Sequence, residues 1–107
     1  MSKANIEMIV AEAFDAAKKA EADFRAEHGE PFYCGFAWVN VTPGNCNLAN
    51  YLKKKNLGEK AYGGGVDVWN PGGSGTQSMD IKEEGSRAFA EVLRKYGFKA
   101  YARSRAD

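Results

Sequence analysis

One segment of ten residues restricts the fold more than any other part of the chain. From Phe32 to Val41 the side chains alternate as in a strand, and both alternating sets are apolar or aromatic. One set is Phe32, Cys34, Phe36 and Trp38, and the other is Tyr33, Gly35, Ala37, Val39 and Val41. Such a strand lies in the middle of a sheet and is either covered on both sides or covered on one side, with an aromatic platform on the other. On this pattern Cys34 is expected to be a buried small hydrophobic residue.

Helical and strand patterns alternate along the rest of the chain. A helical stripe over residues 3–28 consists of Ile6, Ile9, Val10, Ala13, Ala17, Ala20 and Phe24. A short helix over 48–55, a strand over 66–69, a helix from Asp80 to a stop at Gly97, and a strand that begins at Phe98 follow. The order α-β-α-β-α-β predicts one small layered domain of the α/β class, with α+β as the alternative. Its sheet is expected to be three-stranded, mixed, and packed with helices.

The N-terminal helix differs in charge from the rest of the chain. Residues 1–31 carry four basic and seven acidic side chains, whereas residues 32–107 carry eleven basic and seven acidic ones. We therefore divide the single domain, 1–107, into a helix over 1–30 and an α/β body over 31–107. The helix is a candidate oligomerisation element, and a three-stranded sheet has two edges that a second copy can complete, so a homo-oligomer is expected.

Composition excludes several classes of function. The 107 residues suffice for one core, and 15 basic against 14 acidic side chains create no strong field for nucleic acid or an anionic membrane. No apolar run is long enough to span a bilayer, so the expected location is the cytoplasm. With two cysteines and one histidine, the sequence predicts neither a metal site nor a cofactor.

A glycine-rich loop is the first candidate binding site. The loop runs from Pro71 to Ser78 into the start of a helix, where backbone N–H groups favour a phosphate or carboxylate. Its candidate ligand-binding residues are Gly73, Ser74, Thr76 and Ser78. Acidic residues in the first helical turn oppose an anion, so the alternative is an ordinary surface loop before a capped helix.

Aromatic and basic residues form the second candidate site. If the strands adjoin, one face would carry Phe36, Trp38, Trp69, Tyr101, Arg103 and Arg105. Aromatic rings stack on bases and guanidinium groups pair with phosphate. The alternative is that the same aromatic residues form the core under the first helix.

The central strand also resembles a known nucleic-acid motif. Residues 34–41 are similar to the octapeptide of RNA recognition motifs, with the two stacking aromatic positions at Phe36 and Trp38. Cys34 stands where that motif has a basic residue, and a single helix replaces the strand and helix that should come before it. Together with the near-neutral charge, these departures disfavour nucleic acid as the partner.

Catalytic groups are sparse. The candidates are His28, Glu59, Asp67, Asp80, Glu83 and the two cysteines, and their spacing assembles no triad. Asp67 is the best single acid, although an exposed carboxylate on an edge strand is the more common explanation. The sequence thus favours a binding protein over an enzyme.

Five segments resemble a group of uncharacterised small proteins encoded by tailed bacteriophages. The segments are 35–39 (GFAWV), 62–64 (YGG), 77–80 (QSMD), 88–93 (AFAEVL) and 100–107 (AYARSRAD). The resemblance implies a viral accessory protein made in the host bacterial cytoplasm, and it assigns no residue roles. Proteins of this class often inhibit host defence. The leading hypothesis is therefore a protein that sequesters a small phosphorylated ligand, such as a nucleotide immune signal. The alternative is a protein-binding inhibitor of a host enzyme, with no small-molecule site.

Overall fold

The computed structural model describes residues 3–31, 33–73 and 78–106. These residues form an α+β domain whose elements, in chain order, are α1 (Lys3–His28), β1 (Gly35–Thr42), α2 (Asn47–Lys54), β2 (Glu59–Lys60), β3 (Val66–Trp69), α3 (Met79–Lys95) and β4 (Lys99–Ala106). The helix predicted over 3–28 and the strand predicted over 66–69 have the predicted bounds. The N-caps of α2 and α3 are Cys46 and Ser78, whose side chains accept backbone hydrogen bonds.

The sheet has four strands in the described part of the chain, in the order β2-β3-β1-β4, and every pairing is antiparallel. The predicted count of three strands is wrong because a short hairpin strand, β2, was not foreseen, and the predicted mixed pairing is not found among the described strands. The strands β1 and β2, which α2 connects, run in the same direction, as a crossover requires. The strands β3 and β4, which α3 connects, also run in the same direction. They are not neighbours, however, because β3 lies between β1 and β2, and β1 lies between β3 and β4.

The helices cover one face of the sheet. On that face Val39, Val41, Val66, Val68 and Ala100 are almost completely buried against apolar residues of the three helices. The long helix α1 packs mainly along α3. Small residues at this contact, such as Ala13 and Ala17, let the two helices approach closely.

A polar cluster ties α1 to the end of α3. The Glu12 carboxylate accepts a hydrogen bond from the Tyr96 hydroxyl at 2.6 Å and forms an ion pair with Lys95. Hydrogen bonds from Lys95 and Tyr96 hold the pKa of the Glu12 carboxyl below its ordinary value. The same contacts raise the pKa of the Lys95 ammonium and of the Tyr96 hydroxyl. All three groups are solvated, so the cluster is a surface contact and not a buried charge network.

One backbone hydrogen bond fixes the orientation of the central strand. The Asn70 N–H donates to the Ala37 carbonyl at 3.0 Å, so odd-numbered residues of β1 direct their backbone groups toward β3 and even-numbered ones toward β4. On β4, odd-numbered residues therefore bond to β1 and even-numbered ones point to the free edge. The Arg94 side chain occupies the first of these edge groups by donating to the Ala100 carbonyl at 2.6 Å.

Cys34 lies on the exposed side of the chain just before β1 and forms an isolated bridge with Ser78. The prediction that Cys34 is buried is wrong because its side-chain parity is that of the uncovered sheet face. No helix among the described residues is both long enough and apolar enough to cross a membrane.

Candidate ligand-binding face

The face of the sheet opposite the helices is open and carries the aromatic and basic residues. We name as the aromatic-basic face the residues Phe36, Trp38, Trp69, Tyr101, Arg103 and Arg105, which share one side of β1, β3 and β4. Phe36 is 40% exposed, Trp69 is 43% exposed and Tyr101 is 52% exposed. The alternative in which these residues form the core under the first helix is therefore wrong, because the helices all pack on the other face.

Two tryptophans pack against each other at the centre of this face. Trp38 on β1 is directly opposite Trp69 on β3. The strand orientation makes this a non-hydrogen-bonded pair, the kind in which side chains come closest. Their ring centroids are 4.6 Å apart, and the ring planes are inclined by 32°. At that separation the two rings stack against each other and form one aromatic cluster on the open face.

Cations border the aromatic surface on the β4 side. Arg103 is directly opposite Trp38, and Arg105 is directly opposite Phe36, with its guanidinium carbon 5.9 Å from the Phe36 ring centroid. A third cation, the nine-tenths buried Lys82 of α3, approaches the same ring to 5.4 Å and donates a hydrogen bond to the Gly35 carbonyl at 3.0 Å. Within the described ranges, no carboxylate forms an ion pair with any of the three. Arg103 and Arg105 are exposed, so their charge is available to an anion, whereas Lys82 is buried and already donates to the Gly35 carbonyl.

A small pocket opens beside the tryptophan pair, and we name it the Asn40 pocket. Its volume is about 220 Å³, and its lining includes Trp38, Asn40, Tyr62, Asp67 and Arg103. Asn40 and Asp67 are direct cross-strand partners, and the Asn40 amide nitrogen donates both to Asp67 Oδ1 at 2.9 Å and to the Gly64 carbonyl at 3.1 Å. The amide thus holds the carboxylate in place and anchors the turn between β2 and β3.

The described start of the glycine-rich loop leads away from this face. Gly72 is buried against Glu21 of α1, so the start of the loop runs toward the helical layer. Ser78 is buried, and its hydroxyl accepts a hydrogen bond from the Ile81 N–H at 3.4 Å as the α3 cap. Gly73 is exposed, whereas Ser74 and Thr76 lie outside the described residues. A ligand-binding role for the four candidate loop residues stays a prediction; they are Gly73, Ser74, Thr76 and Ser78.

Of the candidate catalytic groups, Glu59 and Asp67 are direct cross-strand partners on β2 and β3, whereas His28 and Glu83 lie elsewhere. His28 is exposed at the end of α1, 3.8 Å from the Glu27 carboxylate, and Glu83 bonds to Ser104. Across 3–31, 33–73 and 78–106, no three His, Cys, Asp or Glu side chains are grouped so that they could hold a metal ion. The arrangement of the open face is therefore suited to binding through stacking and charge.

Sequence reasoning missed two residues of the site. Asn40 was not singled out, although it is a polar side chain between two buried valines of β1 and shares the parity of Trp38. Lys82 was not singled out either. No local pattern predicts the contact of Lys82 with β1, because Lys82 and Gly35 are 47 positions apart in the sequence.

Comparison of the chain with protein-family models, with curated proteins and with solved structures gave no match.

Proposed function

We propose that the protein binds and sequesters a nucleotide on its aromatic-basic face. The observation that carries this proposal is the position of Arg103 and Arg105, which form no ion pair with any described residue, next to the Trp38–Trp69 pair, in which Trp69 is 43% exposed. Base stacking on aromatic side chains contributes about 1–3 kcal/mol per base, and guanidinium groups bind phosphate through paired hydrogen bonds. A nucleotide is the small ligand that has both parts.

The uneven distribution of charge on the open face predicts the orientation of a bound nucleotide. Arg103, Arg105 and Lys82 lie toward β4 and the start of β1, whereas Asp67 and Glu59 lie on β3 and β2. The phosphate of a bound nucleotide is thus expected on the β4 side and the base near the tryptophans. The acidic side repels a second phosphate, which favours a small ligand over a long polyanion.

The resemblance to small proteins of tailed bacteriophages gives this binding a purpose. A phage protein made in the host cytoplasm would remove a nucleotide immune signal by holding it, with no need for turnover. A homo-oligomer would raise the number of sites per particle, and native mass spectrometry of the purified chain tests that expectation.

Intrinsic fluorescence tests the binding directly. The chain has two tryptophans, and both belong to the aromatic-basic face, so their emission reports on this surface alone. Titration with nucleoside triphosphates should give saturable quenching, confirmed by calorimetry. Ribose 5-phosphate, which has no base, and nucleosides, which have no phosphate, should bind more weakly. If no nucleotide binds at millimolar concentration, the proposal is wrong.

A second candidate function is inhibition of a host protein, and the free edge of β4 favours it. Backbone groups of Ala102, Ser104 and Ala106 point away from the sheet, and an extended segment of a partner adds to such an edge through main-chain hydrogen bonds. The Ala102→Pro variant removes one edge N–H without removing a bond to β1. A host protein retained in stoichiometric amount at high salt by the wild type, but not by this variant, would support the second function.

A further inference from the structure

The Asn40 pocket carries an inference that rests on the proposed function and names the base. We propose that the pocket recognises guanine, with the Asp67 carboxylate as the group that reads it. The inference depends on which hydrogen-bonding atoms of the pocket are already used and which are left for a ligand.

The Asn40 amide is fixed in one orientation. Its nitrogen donates to two oxygens, Asp67 Oδ1 and the Gly64 carbonyl, so both amide hydrogens are used and the amide oxygen is left as an acceptor. Asp67 Oδ2 has no hydrogen bond among the described residues, and an ionised carboxylate only accepts. The polar groups that Asn40 and Asp67 leave for a ligand are therefore acceptors.

Acceptors select bases by the donors that the base presents. Guanine has two adjacent donors, the N1–H and the exocyclic amino group, which together match the two oxygens of one carboxylate. Adenine and cytosine place an acceptor next to their amino group, and uracil places its single N–H donor between two carbonyls. With any of these three bases, one carboxylate oxygen would face an acceptor, which disfavours their binding.

The size and surroundings of the pocket agree with a single base. Its volume of about 220 Å³ is below the roughly 300–1,000 Å³ of pockets that enclose a whole drug-sized ligand. Trp38 lines the pocket and supplies a stacking surface, and Arg103 lines it on the side that leads to Arg105. A base in the pocket thus places its sugar and phosphates toward the arginines.

The Asp67→Asn variant distinguishes base recognition by Asp67 from a purely structural role, because only base recognition predicts a changed base preference. Because the Asn40 nitrogen must still donate, the new amide oxygen takes the place of Oδ1 and the new amide nitrogen takes the place of Oδ2. The variant then presents one acceptor and one donor side by side. Xanthine matches that pair, since it keeps the N1–H of guanine and has a carbonyl in place of the amino group.

The experiment measures the affinities of the full chain for GTP, ATP, CTP, UTP and xanthosine triphosphate by calorimetry. Wild type should bind GTP at least tenfold more tightly than the other four. Asp67→Asn should lose that preference and bind xanthosine triphosphate more tightly than GTP. The control variant is Asp23→Asn, which changes an exposed carboxylate of α1 paired with Lys19 and should leave all five affinities unchanged.

The outcomes separate this inference from the proposed function. Equal affinity of wild type for all five nucleotides would overturn guanine recognition and leave nucleotide binding standing. A folded Asp67→Asn variant that keeps its GTP preference, or that does not favour xanthosine triphosphate, would overturn the role of Asp67. Absence of binding by every nucleotide would overturn the proposed function, and the inference with it.

Discussion

Trp38 and Arg103 are direct cross-strand partners on β1 and β4, on the side of the sheet that the helices leave open. This pairing places a stacking ring beside a guanidinium group that has no ion pair among the described residues.

Removal of the arginines should weaken nucleotide binding. A hydrogen bond to a charged group contributes about 1.5–3 kcal/mol, so Arg103→Ala and Arg105→Ala should each raise the Kd by about tenfold or more. The Arg87→Ala variant is the matched control, because Arg87 lies on α3 and pairs with Glu84. Calorimetry at two salt concentrations measures the effect. Equal affinity of the two site variants and the control would remove the arginines from the site.

Replacement of Trp69 should separate binding from stability. Trp69 is 43% exposed and contacts Trp38, so Trp69→Leu should lower the free energy of unfolding by only about 1 kcal/mol. The same change removes one of the two stacked indole rings and should weaken nucleotide binding by about 1–3 kcal/mol. Urea denaturation and calorimetry give the two values. A loss of stability with unchanged affinity would make the tryptophan pair a structural feature only.

Two glycines of the turn after β2 should respond differently to alanine. A Cβ at Gly65 would lie 2.5 Å from the Val41 carbonyl oxygen, and the φ angle of Gly65 is +77°. A Cβ at Gly63 would meet nothing within 4 Å. Gly65→Ala should therefore destabilise the fold by about 2 kcal/mol or more and disturb the Asn40 pocket, whereas Gly63→Ala should have little effect. Similar unfolding midpoints for the two variants would contradict the described turn.

The contact between α1 and α3 should depend on pH. Hydrogen bonds from Lys95 and Tyr96 lower the pKa of Glu12, so this contribution to stability is present above the ordinary carboxyl pKa and is lost as pH falls through the lowered value. At neutral pH, Glu12→Gln should have a slightly lower melting temperature than wild type. The difference should begin to shrink near the ordinary glutamate pKa of about 4.3 and disappear once the pH is below the lowered pKa of Glu12. A difference that stays constant from pH 7 to pH 3 would show that the charge of Glu12 does not stabilise the contact.

The sequence allowed the face to be predicted but not its exposure. Alternation along β1 and β4 correctly placed Trp38, Tyr101 and Arg103 on one side. Which side the helices cover is decided by how the helices pack on the sheet, and alternation within a single strand does not reveal it. The prediction for Cys34 failed for the same reason. Alternation showed which face of the sheet Cys34 lies on, but not whether that face is covered.

Long, regular elements were predicted well because their signal is repeated many times. The 26 residues of α1 contain about seven turns, so single exceptions do not obscure its stripe. The Asn40–Asp67 contact depends on the register between β1 and β3. That register is set by the packing of the whole sheet and by the turn from Ala61 to Gly65, and it cannot be inferred from either strand alone.

The free edge of β4 also affects how chains behave at high concentration. In any antiparallel pairing of two β4 strands, the outward side chains of one copy, Lys99, Tyr101, Arg103 and Arg105, lie opposite those of the other. Three of these four are cations, and like charges across strands repel, so the empty protein resists edge-to-edge aggregation. A phosphate bound at the arginines cancels part of that repulsion. Occupied chains would then join into a continuous sheet more readily than empty ones, so that ligand capture and assembly reinforce each other.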